Sequence, residues 1–283
     1  MFAKHLHFAW RRQWHYLRYA CIIHVLAAIL GFVLMKLPYA ASFAIGLLIF
    51  GLNLAALPTA TFVIAIVDYY QQLHGARAYL TYTLPAPNHS FYDAYLLLDS
   101  LISAAAIAIV IAEGLLCATL FADIWTPIKF FAAAQPSFFW WSLVLITLSW
   151  IGNLVSGFII LFFSISLGSN KFWQRLSFGG PVVIFIILSI VFQVIGSLSS
   201  LLLPFNYVFR LVTDHGVLTN NSHFQIAPLI TTLYESNYES NVVRPEVYIT
   251  FPIPILGVLI SIVCSIVLLV WTRRHLDTQI NLR

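Results

Sequence analysis

The sequence predicts an all-α integral membrane protein. The expected architecture is six transmembrane helices, an N-terminal interfacial amphipathic helix, and short re-entrant helices between spans five and six. Three observations lead there. Of 283 residues, 61% are hydrophobic and only 8% are charged, against roughly 25% charged in a soluble domain, so most of the surface must have lipid as its solvent. Nearly uncharged runs of about 18 to 20 residues recur, each able to cross a hydrocarbon core of roughly 30 Å as a helix. The runs are continuous and not alternating, which argues against a β-barrel and leaves helices as the way to pair every backbone polar group within lipid.

Residues 1–18, MFAKHLHFAWRRQWHYLR, come first. Phe2, Leu6, Trp10, Trp14 and Leu17 recur at helical spacing, and Lys4, His7, Arg11, His15 and Arg18 form a second, basic stripe. A basic amphipathic helix with Trp on its apolar face belongs in the headgroup plane. Trp10, Arg11, Trp14 and Arg18 are its expected anchors to membrane lipid. The segment has no short apolar core followed by a small-residue cleavage site, so no cleaved signal peptide is expected.

The remaining residues, 19–283, are read as the transmembrane domain, with spans over 19–37, 41–67, 94–121, 138–167, 181–203 and 251–271. An even number puts both termini on one side. With the termini inside, the inner segments hold Lys4, Arg11, Arg12, Arg18, Arg77, Lys171, Arg175, Arg273, Arg274 and Arg283, and the outer ones hold only Lys36, Lys129, Arg210 and Arg244. That bias predicts cytoplasmic termini. Trp140 and Trp141 open the fourth span and Trp271 closes the sixth, at interface positions where a ring is half buried and half wet.

Within the spans, ionisable residues are few: His24 in the first, Asp99 and Glu113 in the third. Such groups are costly in lipid and face protein or water. Asp99 and Glu113 are fourteen residues apart, on one helix face about 21 Å from each other. Together with Asn53 they are candidates to line a polar path; the other reading is structural hydrogen bonding between helices, with Asn53, Asn153 or Gln193 as partners for Glu113. Pro58 interrupts the second span. Gly152, Gly157, Gly179, Gly180 and Gly196 are places where helices could approach closely. Cys21, Cys117 and Cys264 lie in separate apolar regions without metal-ligand spacing and read as packing residues. No metal site and no catalytic constellation is expected: HExxH, paired catalytic Asp and Ser-Lys patterns are missing, which argues against an intramembrane enzyme. Few midplane charges and no internal repeat argue against a secondary transporter.

Between spans two and three, residues 68–93 contain HGARAYLTYTLPAP at 74–87. Gly75 permits a change of direction, and Pro85 and Pro87 end any short helix before them. The chain has no GxxxxGK[ST] phosphate-binding loop. Tyr79, Leu80, Thr81, Thr83, Leu84 and Pro85 match the segment D-E-G-Y-L-T-x-T-L-P-V-S that many permeases carry at this place. A weaker match is the basic C-terminal stretch Arg273-Arg274 followed by Asn281-Leu282, and another is the turn 168–175 after the fourth span. In these features, and in its span count, the chain resembles the membrane subunits of small bacterial ABC transporters, the six-span permease family built on the exporter fold. It departs from the pattern at Ala76 and Arg77, where the family carries acids, and at Asn88 and His89, where a basic residue is usual.

The resemblance implies a cytoplasmic coupling loop over 68–93 that docks on a separate ATP-binding cassette subunit. Gly75, Arg77, Tyr79, Leu80, Thr81, Thr83, Leu84 and Pro85 would make that contact, with Lys171 and Arg175 from the second cytoplasmic loop. ATP and Mg would be bound by the partner, with no cofactor in this chain and no ATPase activity of its own. It further implies a second permease subunit, identical or related, no nucleic-acid partner, a bacterial cytoplasmic membrane location, and export of an amphipathic or hydrophobic substrate such as a peptide, lipid or drug by alternating access. The external segment 204–250 contains PFNYVFRLV and FQIAPLITTLYES, each apolar enough to be a short helix dipping into the outer interface; in the fold the chain resembles, such re-entrant helices cap the pathway. A non-transport sensor or assembly partner is the alternative function; it accounts for the spans and the amphipathic helix but not for YLTYTLP.

Overall fold

The computed structural model describes residues 2–75, 88–121, 136–168, 179–202, 206–214, 217–220, 223–225 and 249–280. Six helices carry most of them: α1 (Phe2–Lys36), α2 (Ala40–His74), α3 (Asn88–Phe121), α4 (Pro136–Gly168), α5 (Gly179–Leu202) and α6 (Ile255–Ile280). Each contains a stretch long and apolar enough to cross a membrane. Their outward faces are apolar; on α1, Ile22, Ile23, Leu26, Ile29, Leu30 and Val33 are all exposed. A contiguous patch of that kind is a liability in water and is solvated in a bilayer. The chain is a multi-pass membrane protein.

One expected boundary is missing. The amphipathic segment 1–18 and the first span are a single unbroken helix of 35 residues, about 52 Å long at 1.5 Å per residue. No Gly or Pro lies between Arg11 and Leu30, so nothing stops the helix at Arg18. Its buried stripe is Ala9, Gln13, Leu17, His24, Ala28, Gly31 and Met35. Phe2, Trp10 and Trp14 of the expected apolar stripe stay exposed.

By its contacts the chain forms two compact units. The first comprises Met1–Trp125, Trp150–Val182 and Leu269–Arg283. In it α1 and α2 form an antiparallel hairpin, turning over Leu37, Pro38 and Tyr39. The new helix starts with the Phe43 amide donating to the Tyr39 carbonyl, 3.1 Å, and the Ser42 hydroxyl donating to the same oxygen, 2.7 Å. The two helices are closest at a glycine pair. A Cβ on Gly46 would lie 2.8 Å from the Gly31 carbonyl oxygen and 2.8 Å from the Met35 backbone nitrogen, so only a residue without a side chain fits. By contrast, a Cβ on Gly152, Gly157 or Gly196 would meet nothing within 4 Å; close approach falls at Gly31 and Gly46 and not at those three glycines. Residue Pro58 leaves α2 helical on both sides.

The end of α4 is the most enclosed stretch of this unit. Residues Phe158 through Ser166 are all buried, with Phe62 of α2 against Phe158 and Trp271 of α6 against Phe163. Helix α3 is also most buried at its start, where Phe91, Tyr92, Ala94, Tyr95, Leu96 and Leu98 are inside. The helix begins six residues before the expected span at 94, because these turns are packed by protein and tolerate polar residues that lipid would not.

The second unit, Thr126–Ser149 with Val183–Leu268, corrects the expectation of re-entrant helices. Residues 206–214 form a strand, β1 (Asn206–Asp214), followed by β2 (Val217–Asn220), β3 (His223–Gln225) and β4 (Ile249–Pro254). All pair antiparallel with β1, which is the centre of the four-stranded sheet. The register pairs Asp214 with Val217, Tyr207 with Phe224, and Phe209 with Phe251. The run NYVFRLVT is rich in Val, aromatic and Thr residues, which suit a pleated surface, and the Asp214–Val217 pair leaves a two-residue link containing Gly216, the setting of a tight hairpin. Pro252 and Pro254 fall on β4, which pairs only with β1, as Pro requires of an edge strand. Of FQIAPLITTLYES, the first two residues are in β3 and the rest lie outside the described residues.

Candidate functional site

Polar side chains that the sequence scatters over three helices meet at one end of the first unit. Arg12 and Gln13 stand on the buried side of α1, Asp68 near the end of α2, and Asp99 three turns into α3. The Arg12 guanidinium grips the Asp68 carboxylate through both oxygens and lies over the Tyr95 ring, 5.7 Å from its centroid. A planar guanidinium suits both partners, a carboxylate edge and an aromatic face. Gln13 Nε2 donates to Asp99 Oδ1 at 2.8 Å and to Asp68 Oδ2 at 3.3 Å. One amide thus joins the acids of two helices. Asp99 is 1% exposed, and its Oδ2 has no hydrogen-bond partner.

Beside this cluster lies an aromatic one. Tyr69 is fully buried; it stacks on Phe162 with centroids 4.1 Å apart and on Phe91 at 5.9 Å, and its hydroxyl meets Ser166 Oγ at 2.9 Å. Phe91 in turn packs on Tyr95 at 4.6 Å. Asp93, on the same opening turns of α3, accepts from Arg273 Nε of α6 at 2.9 Å. The last turns of α2, the first turns of α3 and the end of α4 are therefore one interlocked body, with α6 tied to its rim.

Deeper along the helices is a second polar contact. With Glu113 as the carboxylate, His24 Nε2 donates to Oε1 at 3.0 Å and stands 2.9 Å from Oε2. Asn53 Nδ2 donates to the His24 backbone carbonyl at 3.1 Å. His24 is 4% exposed and its Nδ1 has no partner. The group expected to meet Glu113 was Asn53, Asn153 or Gln193. It is His24, and Asn53 bonds the backbone of that residue instead.

Other candidates fall as follows. Gly75 caps α2, its amide donating to the Gln71 carbonyl at 3.0 Å. Its φ of −85° is open to any residue, but a Cβ there would stand 2.6 Å from that same oxygen. Glycine is needed for space, not for an unusual turn. Arg77, Tyr79, Leu80, Thr81, Thr83, Leu84, Pro85, Lys171 and Arg175 lie outside the described residues. Trp10 and Trp14 stack on each other at 5.3 Å on the exposed face of α1. Arg11 and Arg18 are exposed as well, and Arg18 Nη2 donates to the Tyr19 hydroxyl at 3.0 Å. Arg12, Gln13 and Asp68 were not singled out from the sequence as site residues. Gln13 could have been found from the stripe Ala9–Gln13–Leu17, which places an amide among small and apolar residues on one helix face. Among the described residues no group of three or more His, Cys, Asp or Glu is placed to hold a metal.

Compared with protein families, with curated proteins and with solved structures, the chain has no match.

Proposed function

We propose that the chain is the permease subunit of an ATP-driven ABC transporter of the exporter type. It sits in a bacterial cytoplasmic membrane with both termini in the cytoplasm, pairs with a second permease, and takes its energy from separate ATP-binding subunits that hold ATP and Mg. Its cargo is amphipathic or hydrophobic. The observation that carries this reading is the pattern YLTxTLP at 79–85 in the connection between α2 and α3. The packing on either side supports it. A force on residues 76–87 reaches α2 through Gly75 and α3 through Asn88, and the interlock of Tyr69, Phe91, Tyr95 and Phe162 passes it to three helices at once. The basic outer face of α1, with Arg11, Arg18 and the Trp10–Trp14 stack, suits a headgroup layer at the same end.

The test is co-purification from native membranes. The intact chain is expected to bring down an ATP-binding subunit, and Tyr79→Ala with Leu80→Ala and Leu84→Ala is expected to lower the recovered ATPase by roughly 10-fold or more, as loss of interface anchors does. An intact chain that brings down no ATPase overturns the reading and favours a sensor or assembly partner.

A further inference from the structure

Helices α2, α3 and α4 leave a cleft of about 550 Å³ within the first unit, inside the range of roughly 300–1,000 Å³ typical of small-molecule sites. Phe62, Ile107, Trp150 and Leu154 give it apolar walls, and among the described residues none that lines it is ionisable. Three of its residues are out of keeping with a surface meant only for lipid. The first is Ser103, which is 6% exposed with a hydroxyl that has no partner. Thr59, Ser164 and Ser265 each satisfy their hydroxyls on a carbonyl one turn back; Ser103 does not. The second is Asn153, an exposed amide in an otherwise apolar stretch of α4, which makes no hydrogen bond among the described residues. An amide without a partner in an apolar medium costs several kcal/mol. The third is Gly157, where a side chain would meet nothing within 4 Å. It serves no helix contact, and its missing side chain keeps the cleft open.

We propose that this cleft binds an uncharged single-headed amphiphile, a long-chain alcohol or primary amide. Its apolar body lies against Phe62, Ile107, Trp150 and Leu154. Its head exchanges hydrogen bonds with the Ser103 hydroxyl and the Asn153 amide, both of which can donate and accept. A charged head is disfavoured because the described residues of the lining offer no counter-charge, and an unpaired charge at membrane depth is costly. The site stands apart from the ATPase contact proposed above, so binding to the purified chain tests it whether or not that contact exists.

The full chain in lipid nanodiscs would be photolabelled with a diazirine derivative of hexadecanol, and the labelled peptides mapped by mass spectrometry. The expected result is saturable labelling on α2, α3 and α4 that unlabelled hexadecanol competes away, with the diazirine alkane and the diazirine fatty acid labelling the same peptides only weakly and without saturation. Ser103→Ala removes one hydrogen bond and is expected to weaken binding by roughly 3- to 10-fold. Gly157→Leu fills open space and is expected to abolish saturable labelling. Equal labelling by alcohol and alkane, untouched by either substitution, overturns the proposal and assigns the cleft to bulk acyl chains. Loss of labelling in Gly157→Leu with full affinity in Ser103→Ala also overturns it, since the cleft would then be an apolar slot without head recognition. Should Gly157→Leu not fold, the Ser103→Ala affinity and the alcohol-to-alkane comparison decide alone.

Discussion

Two buried acidic sites join α1 to its neighbours, and they are built on different arithmetic. At Arg12, Gln13, Asp68 and Asp99 there are two acids and one fixed cation, and the cation pairs with Asp68. At His24 and Glu113 there is one acid and one imidazole, and the Glu113 side chain keeps 20% of its surface exposed. The first site pairs its Arg with the acid of α2 and meets α3 through the Tyr95 ring and a neutral amide. The second holds α1 to α3 directly and uses Asn53 to bring in α2. Two attachments of different strength, spaced about 18 Å apart along α1 by the twelve residues from Arg12 to His24, fix that helix at two levels. The stronger one lies toward the end of α2, the helix that leads into residues 76–87.

The comparison is broken most severely at Arg12. In Arg12→Ala the Asp68 carboxylate, 6% exposed on its side chain, loses the Arg12 guanidinium while remaining inside. Removing one partner of a buried pair costs roughly 3–5 kcal/mol, and because Arg12 is itself 22% exposed the expected loss is at the low end, about 3 kcal/mol. Heating the variant and the parent chain in the same detergent and following the monodisperse fraction checks this. A variant as stable as the parent would show that water reaches Asp68 and that the site is not an anchor.

A smaller effect is expected at the second site. Glu113→Gln keeps an oxygen that can accept from His24 Nε2 and loses only the charge, so the cost is the difference between a charge-assisted and a neutral hydrogen bond, about 1 kcal/mol. The same thermal assay measures it, with Glu113→Ala as the comparison: Ala leaves His24 without its partner and is expected to lose more than Gln. Equal losses would mean that the charge, not the hydrogen bond, holds the pair.

These sites also show what was readable from residues alone. The six apolar runs became six helices because length and absence of charge are local properties, and lipid rewards both wherever they occur. Helix ends were harder. Hydropathy marks where lipid contact begins, but the α3 helix starts at Asn88 because Phe91, Tyr92 and Tyr95 are packed by protein; the run of backbone hydrogen bonds ignores the boundary that the polar residues suggest. The missed break at Arg18 has the same origin. A change in face chemistry was taken for a change of element, although no cap, Gly or Pro stands there to end a helix. Residues 206–214 were misread because a short apolar run fits helix and strand equally; the two-residue link with Gly216 was the overlooked sign of a hairpin. The pairing of Arg12 with Asp68 joins residues 56 positions apart, and nothing within either helix names its partner. Asp99 and Glu113 were visible as costly charges, and only the packing shows that each is answered from α1. Residues 76–87, on which the functional reading depends, lie outside the described residues, so the resemblance carries that part by itself.

The finest distinction is at Asp99. If the cluster is built around the Arg12–Asp68 pair, an acid at position 99 is not needed for it. Gln13 needs only an acceptor, and Asp99 Oδ2 bonds to nothing. Asp99→Asn preserves the acceptor on Oδ1 and removes the second acid of a buried cluster. The expected change is under about 1 kcal/mol, because the acceptor for Gln13 is kept and the replacement is a neutral group of equal shape. Asp68→Asn, in contrast, takes the carboxylate from the Arg12 pair and is expected to destabilise. Thermal unfolding of the two variants side by side separates the roles. If Asp99→Asn loses as much as Asp68→Asn, then Arg12 serves both acids, and the cluster is a shared triad in which α3 is held by charge as firmly as α2.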